Sequence, residues 1–307
     1  MSKYYEKIVV GKKEIYIFKS HHYALLPWSI IRSKMEVAPL LVSFDYHTDT
    51  HSPFLDYASR KIFGEYCANT SEEKVSERDE LVKSLIKSIS YQNQDTIIKA
   101  ITCLKNDEHI LTAIESDIIS TAFIVSYSNT SDFPPSNEEK DRIDHYLEIM
   151  LNRIENDKPH PKELYMRPYN YPKSKYYIPD IYPAYIDFGI EDGDELLEHL
   201  HKTSLEDIFI EDKLKVFSEM SNSNFDNLLP IYPYVLDIDL DYFTTFESIQ
   251  PKSKEYISKI INNAVAITIA EEPDCVEMLR RNKNDSKFNS SYLRDELLKL
   301  ISDAIET

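Results

Sequence analysis

The stretch "LLVSFDYHTDTHSPF", residues 40–54, runs from an apolar segment directly into two aspartates and two histidines. In an α-helix, Asp45 and Asp49 would share one face and His47 would point away from it. In an extended chain all three side chains point the same way, because strand side chains alternate with a period of two. The pattern therefore predicts the end of a β-strand that directs two carboxylates and an imidazole at one point.

A second stretch, "YVLDIDLDYF" at residues 234–243, repeats this arrangement. Here Asp237, Asp239 and Asp241 alternate with apolar residues. A buried strand cannot carry three unpaired carboxylates on one side, because bare charges in a dry interior are very costly. Either that face is wet or cations neutralise it. An EF-hand loop is excluded, since Tyr242 takes the position of the required glycine and Ser248 that of the bidentate glutamate.

The two stretches together predict a shared metal site. The carboxyl ends of parallel strands meet at the crevice where α/β proteins bind ligands. Many carboxylate oxygens with few imidazoles favour Mn²⁺ or Mg²⁺ over structural Zn²⁺, and the number of carboxylates indicates two ions. Two other histidine patterns are weaker. His199 and His201 form an HxH pair in a polar helix, and the spacing of His47 and His51 lacks the glutamate of an HExxH motif.

Strands and helices alternate along the chain, which predicts a mostly parallel sheet with helices on both faces, a three-layer α/β/α fold. We expect a single domain over residues 1–307. Two short strands surround a turn at Gly11, and a helix begins near Pro27. Further helices are expected at 76–89, 134–154 and 291–306, and an irregular Pro- and Tyr-rich loop at 157–182.

Composition excludes several classes of protein. The net charge is −18 and no dense basic block occurs, so nucleic acid is not an expected partner. The four glycines lack the spacing of a phosphate-binding loop, and the three cysteines form no CxxC pair. The N-terminus lacks the apolar core of a secretory signal, and no segment is long and apolar enough to span a membrane. We expect a cytoplasmic protein in a reducing environment.

The motifs resemble those of the arginase and deacetylase superfamily. "FDYHTD" resembles the DxHxD signature of arginases, and "LDIDLDYF" resembles their second aspartate strand. "KSHHYALLPW" looks like the N-terminal His-bearing turn of a branch associated with peptide arginases. The resemblance covers residues 15–275. It implies an arginase-like fold and a hydrolase that converts arginine side chains of a ribosomally made precursor peptide to ornithine, with release of urea.

The resemblance also implies a ligand set for two Mn²⁺ ions: His22, Asp45, His47, Asp49, Asp237 and Asp239. His22 is favoured over His21 because it lies five residues before Pro27, as in the family pattern. Asp45 and Asp237 would bridge the two ions. Asp241 would lie beyond the ligand pair and orient its neighbours.

Other roles stay open at this point. Glu271 and Glu272 are candidates for the carboxylate that meets the guanidinium group, and His51 and His109 are candidates for proton transfer. The loop at 157–182 fits either a trough for an extended peptide or an ordinary surface loop. The alternatives are a metal-dependent amidase or deacetylase, a small-molecule ureohydrolase, and a metal-containing peptide-binding protein without catalysis.

Overall fold

The structure, a computed structural model, describes residues 3–64, 71–127, 175–190, 193–221, 224–281, 283 and 285–306. The helix predicted at 134–154 and the part of the predicted loop at 157–174 lie outside these residues.

One seven-stranded sheet organises the described part of the chain. Its strands are β1 (Glu6–Val10), β2 (Lys13–Phe18), β3 (Leu40–Asp45), β4 (Ala122–Ser126), β5 (Tyr176–Tyr177), β8 (Tyr234–Asp239) and β9 (Ala266–Ala270). They lie in the order β1-β2-β9-β8-β3-β4-β5. Only β1 runs antiparallel to its neighbour, and the other pairs are parallel. Two short strands, β6 (Phe225–Asp226) and β7 (Leu229–Pro230), form a separate ladder.

Helices flank this sheet. The described α-helices are α1 (Leu25–Arg32), α2 (Leu55–Phe63), α3 (Glu72–Ser88), α4 (Gln94–Ile101), α5 (His109–Glu115), α6 (Gly193–Thr203), α7 (Asp207–Ser221), α8 (Glu255–Asn263), α9 (Pro273–Leu279) and α10 (Ser290–Glu306). Short 3-10 helices occupy His21–Ala24, Leu240–Tyr242 and Glu247–Ile249. None of the described helices is long and apolar enough to cross a membrane.

Alternation along the central strands separates two apolar layers. Val42 of β3 and Leu236 of β8 belong to one buried cluster, which includes residues of α6, α7, α8 and α10. Leu41 and Val235 belong to the other, which includes residues of α1, α4 and α5. The prediction of a mixed α/β fold with a mostly parallel sheet covered on both faces is confirmed, and this arrangement is compatible with three layers.

The hairpin at the start of the chain follows its prediction closely. Gly11 has a φ of +58°, a left-handed conformation that glycine adopts without strain. A Cβ atom at this position would lie 2.8 Å from Cγ2 of Ile305, so helix α10 also excludes a side chain there. β1 and β2 therefore pair tightly and form one edge of the sheet.

Several boundaries differ from the sequence expectation. The strand expected to run through Asp241 ends at Asp239, and the chain turns into a 3-10 helix. Helix α3 begins at Glu72, earlier than expected, with Ser71 accepting a hydrogen bond from the backbone N–H of Lys74. Helices α7 and α8 were not predicted. The early end of β8 matters most, because it changes the direction of one aspartate.

Candidate metal centre

Buried carboxylates and imidazoles meet at the carboxyl ends of β3 and β8. Among the described residues, three groups of side chains are close enough to hold a metal ion. The groups are His21 with Asp45 and Asp239, His21 with Asp49 and His109, and Asp45 with His47 and Asp241. Asp45 belongs to two of these groups and so links both sides of the cluster.

His21 is the histidine at the centre of the cluster. Its Nδ1 atom lies 2.9 Å from Asp49, 3.1 Å from Asp239 and 3.3 Å from Asp45, measured to Oδ2 of each. Its side chain is 1% exposed. His21 is the first residue of a 3-10 helix, and its position is fixed because the backbone N–H of His21 donates a 2.7 Å hydrogen bond to Oε1 of Glu272.

The expectation that His22 faces the carboxylates is corrected by this geometry. Nδ1 of His22 lies 3.1 Å from Oγ of Ser20 instead, and His22 belongs to none of the described metal-binding groups. Burial, with the neighbouring His21, lowers the pKa of His22 to about 4. Consecutive residues of a 3-10 helix point about 120° apart, so only one of two adjacent histidines can face the sheet edge.

The positions of Asp241 and Asp237 also differ from those expected. Oδ2 of Asp241 lies 3.2 Å from Nδ1 of His47, and its Oδ1 accepts a hydrogen bond from the backbone N–H of Tyr46. Asp237 instead lies inside β8, before Asp239, and contacts Ser43, Thr268 and His21. The 3-10 helix after Asp239 carries Asp241 back toward the end of β3, which a straight strand would not do.

The donor set fits divalent cations. Nδ1 of His21 and Oδ2 of Asp45 have no hydrogen-bond partner among the described residues, although both are buried. Lone pairs that face each other at such distances repel unless a proton or a cation lies between them. The spacings of 2.9–3.3 Å around Nδ1 of His21 also match adjacent ligands of an octahedral ion, which lie about 3 Å apart when each bond is about 2.1 Å.

Burial, and after it the proximity of other charged groups, shifts the titration of the cluster. Burial, and then the charge of a neighbouring carboxylate, raises the pKa of Asp45 and of Asp239 well above the usual carboxyl value. Burial raises the pKa of Asp49 to about 6. The hydrogen bond to Asp241 is the largest contribution that raises the pKa of His47, to about 9. Added positive charge would relieve the repulsion among these carboxylates.

The two histidines expected to transfer protons occupy different surroundings. His109 is fully buried against Trp28 and His21, and its Nδ1 donates to the carbonyl of Asn106. Burial and His21 lower the pKa of His109 well below its usual value, so it stays neutral. A residue with no exposed surface does not meet a substrate from solvent, so the position of His109 does not fit the proton-transfer role expected of it. His51 is partly exposed, with Nδ1 3.4 Å from Oδ2 of Asp107.

The side chains of the two adjacent glutamates after β9 point in different directions. Glu271 turns toward α10, where its Oε1 lies 3.2 Å from a guanidinium nitrogen of Arg294. Glu272 has a positive φ of 30° and turns toward the cluster, where it accepts from the His21 backbone and from Ser20 Oγ. Its Oε2 lies 3.5 Å from Sγ of Cys275. Glu272 is therefore the carboxylate beside the site.

No protein-family model matches the chain, and the search of curated proteins found no match.

Proposed function

We propose that this protein is a two-metal hydrolase of the arginase type, which converts arginine side chains of a peptide to ornithine and releases urea. The observation that carries the proposal is the position of Asp45, whose carboxylate belongs both to the group of His21 and to the group of His47. A carboxylate shared in this way has two oxygens with which to bridge a pair of neighbouring cations. The proposed ligands are His21, Asp45, His47, Asp49, Asp239 and Asp241.

Two divalent cations, for which we propose Mn²⁺, would lower the pKa of a water molecule and so supply a nucleophile at neutral pH. The six side chains supply four carboxylates and two imidazoles, a hard donor set that suits Mn²⁺ better than Zn²⁺. Burial of most of these side chains excludes bulk water, which strengthens their attraction for a cation.

Charge at the site supports a cationic substrate. Four ligand carboxylates balance two divalent cations, while Asp237 and Glu272 add further negative charge nearby. A guanidinium group suits such a site, because its planar N–H donors match a carboxylate. We assign Glu272 to bind the guanidinium group of the substrate. His51, held beside Asp107, is the candidate that transfers a proton to the departing amine.

The direct test is mass spectrometry of arginine-containing peptides incubated with the protein and Mn²⁺. Each converted residue should lose about 42 Da, the mass of CN₂H₂, and an equal amount of urea should appear. An amidase or deacetylase would release a carboxylic acid, and a protein that only binds peptides would release neither product. Free arginine in a parallel reaction distinguishes a peptide substrate from a small-molecule one. Absence of urea from every arginine substrate would contradict the proposal.

A comparison of the adjacent histidines tests the ligand set. His21→Ala should weaken Mn²⁺ binding by more than about 100-fold, because it removes the imidazole that faces three carboxylates. His22→Ala should leave the affinity within about threefold. Isothermal titration calorimetry measures both, with thermal unfolding as the check on folding. The reverse result, with His22→Ala the damaging change, would restore the ligand expected from the sequence motif.

The stabilisation given by Mn²⁺ should grow as the pH rises. Protons compete with the cation for carboxylates of raised pKa, and Asp49 titrates at about 6. Without a cation, the raised pKa of Asp49 contributes stability that is present below the ordinary carboxyl value and is lost as the pH rises through about 6. The rise in Tm caused by the same excess of Mn²⁺ should therefore be several degrees larger at about pH 7.5 than at about pH 5.5. An equal rise at both would count against a carboxylate site.

A further inference from the structure

Three polar side chains lie side by side across the centre of the sheet. Ser43 of β3 pairs in register with Asp237 of β8, which pairs in turn with Thr268 of β9. All three are fully buried on the face that α1 covers. A buried polar row of this kind requires that every member be hydrogen-bonded, since an unpaired polar group in the interior destabilises the fold.

The direction of each hydrogen bond in this row is determined by chemistry. The indole of Trp28 can only donate, and its Nε1 lies 3.1 Å from Oγ1 of Thr268. Thr268 therefore accepts from Trp28 and donates its own proton to Oδ1 of Asp237, at 2.6 Å. Ser43 donates to Oδ2 of Asp237 at 2.9 Å. The Asp237 carboxylate thus accepts from both neighbouring strands.

These bonds determine which nitrogen of His21 keeps its proton when the ring is neutral, the form that can bind a cation. Nε2 of His21 lies 2.8 Å from Oδ2 of Asp237. An ionised carboxylate only accepts hydrogen bonds, so Nε2 must donate. In the neutral ring this leaves Nδ1 with its lone pair, directed at Asp45, Asp49 and Asp239. A lone pair at Nδ1 is what a metal cation needs and what three bare carboxylates would repel.

We propose that Asp237 is a positioning residue and not a metal ligand: it fixes His21 in the Nε2–H tautomer and so presents Nδ1 to the cation. Trp28, Thr268 and Ser43 hold Asp237 in place. The inference rests on the proposed metal centre, but not on the identity of the substrate. It also explains why the chain carries a third aspartate in "DIDLD", since Asp239 and Asp241 are the proposed ligands of that segment.

Asp237→Asn tests the proposal, because asparagine keeps the shape of the side chain but removes its charge and one of its two acceptor oxygens. Calorimetric titration should still give two Mn²⁺ ions per chain, with affinity reduced about 10- to 100-fold, as for other carboxylates that hold a metal-binding histidine. In the Mg²⁺-loaded protein, ring ¹⁵N resonances of His21 should show protonated Nε2 in the wild type and a mixture of tautomers in the variant.

Thr268 provides a milder pair of variants in case Asp237→Asn does not fold. Thr268→Val removes the hydroxyl and should weaken Mn²⁺ binding several-fold, while Thr268→Ser keeps the hydroxyl and should restore wild-type affinity. A loss of stability in Thr268→Val with unchanged affinity and an unchanged His21 tautomer would overturn the proposal, since only a packing role would remain.

Two other outcomes are distinguishable. A stoichiometry of one ion in Asp237→Asn would mean that Asp237 is itself a ligand, which overturns the positioning role. Absence of divalent-cation binding by the wild-type protein would overturn both this proposal and the metal centre, and the wild-type titration shows that before any variant is measured.

Discussion

Replacing Asp45 with asparagine is expected to lower the rate of urea release by about two to three orders of magnitude and to weaken binding of both cations. Oδ2 of Asp45 lies 3.3 Å from Nδ1 of His21, and its Oδ1 lies 3.8 Å from Nδ1 of His47. The single carboxylate therefore contributes to both groups of proposed ligands. Removal of one buried charged partner generally costs about 3–5 kcal/mol, so activity should fall about 150- to 5000-fold.

Mn²⁺ content after gel filtration and the rate of urea release measure this effect together. Asp117→Asn is the matched control, because Asp117 is exposed, pairs with Arg32 and belongs to none of the described groups that could hold an ion. Its φ of +58° is also tolerated by asparagine, so the control should keep its backbone conformation. Asp45→Asn protein that holds two ions and turns over normally would remove Asp45 from the site.

The second large effect is expected from the glutamate that faces the cluster. Glu272→Gln should lower kcat/KM for an arginine peptide by about 100-fold or more, because a charged partner of the guanidinium group is lost. Glutamine can still accept the hydrogen bond from the His21 backbone N–H, so Mn²⁺ binding should be retained. Activity should therefore fall without loss of the cations.

Glu271→Gln serves as the control for this experiment. Glu271 pairs with Arg294 on the other side of the same turn, and its replacement should change kcat/KM by less than about threefold. Steady-state urea release and metal content are compared for the two variants. Full activity in Glu272→Gln combined with a large loss in Glu271→Gln would reassign the guanidinium-binding carboxylate to the neighbouring residue.

Much of the fold and the place of the site could be predicted from sequence. The apolar run before Asp45 and the alternating stretch around Asp237 have strand length, and both become fully buried central strands of the sheet. Carboxylates at the ends of two such strands must lie near one another once the strands are parallel neighbours. Alternation of hydrophobic residues and the ends of parallel strands were sufficient for this prediction.

The choice between neighbouring residues could not be predicted in the same way. His21 and His22 are adjacent and chemically identical, and only the phase of a 3-10 helix decides which of them faces the carboxylates. The three aspartates of "DIDLD" have equal spacing, and the end of β8 at Asp239 decides which of them contact His47 and which contact Ser43. In both cases a local turn, which leaves no clear sequence signal, determines the outcome.

The residues that donate hydrogen bonds to Asp237 provide the sequence signal for its position. Ser43 and Thr268 are small hydroxyl residues at buried positions of central strands, where aliphatic residues are the norm. Both residues lie in register with Asp237, which explains why the Asp237 carboxylate forms hydrogen bonds with them. Polar residues at matching positions of three adjacent predicted strands would have indicated that the Asp237 side chain contacts Ser43 and Thr268 and does not face the crevice.

Anomalous diffraction at the manganese edge, from crystals grown with Mn²⁺, tests the central claim most directly. We predict two peaks per chain that share the carboxylate of Asp45. One peak should lie among His21, Asp45, Asp49 and Asp239, and the other among Asp45, His47 and Asp241. No peak at these residues, or peaks coordinated by His22 or Asp237, would contradict the account.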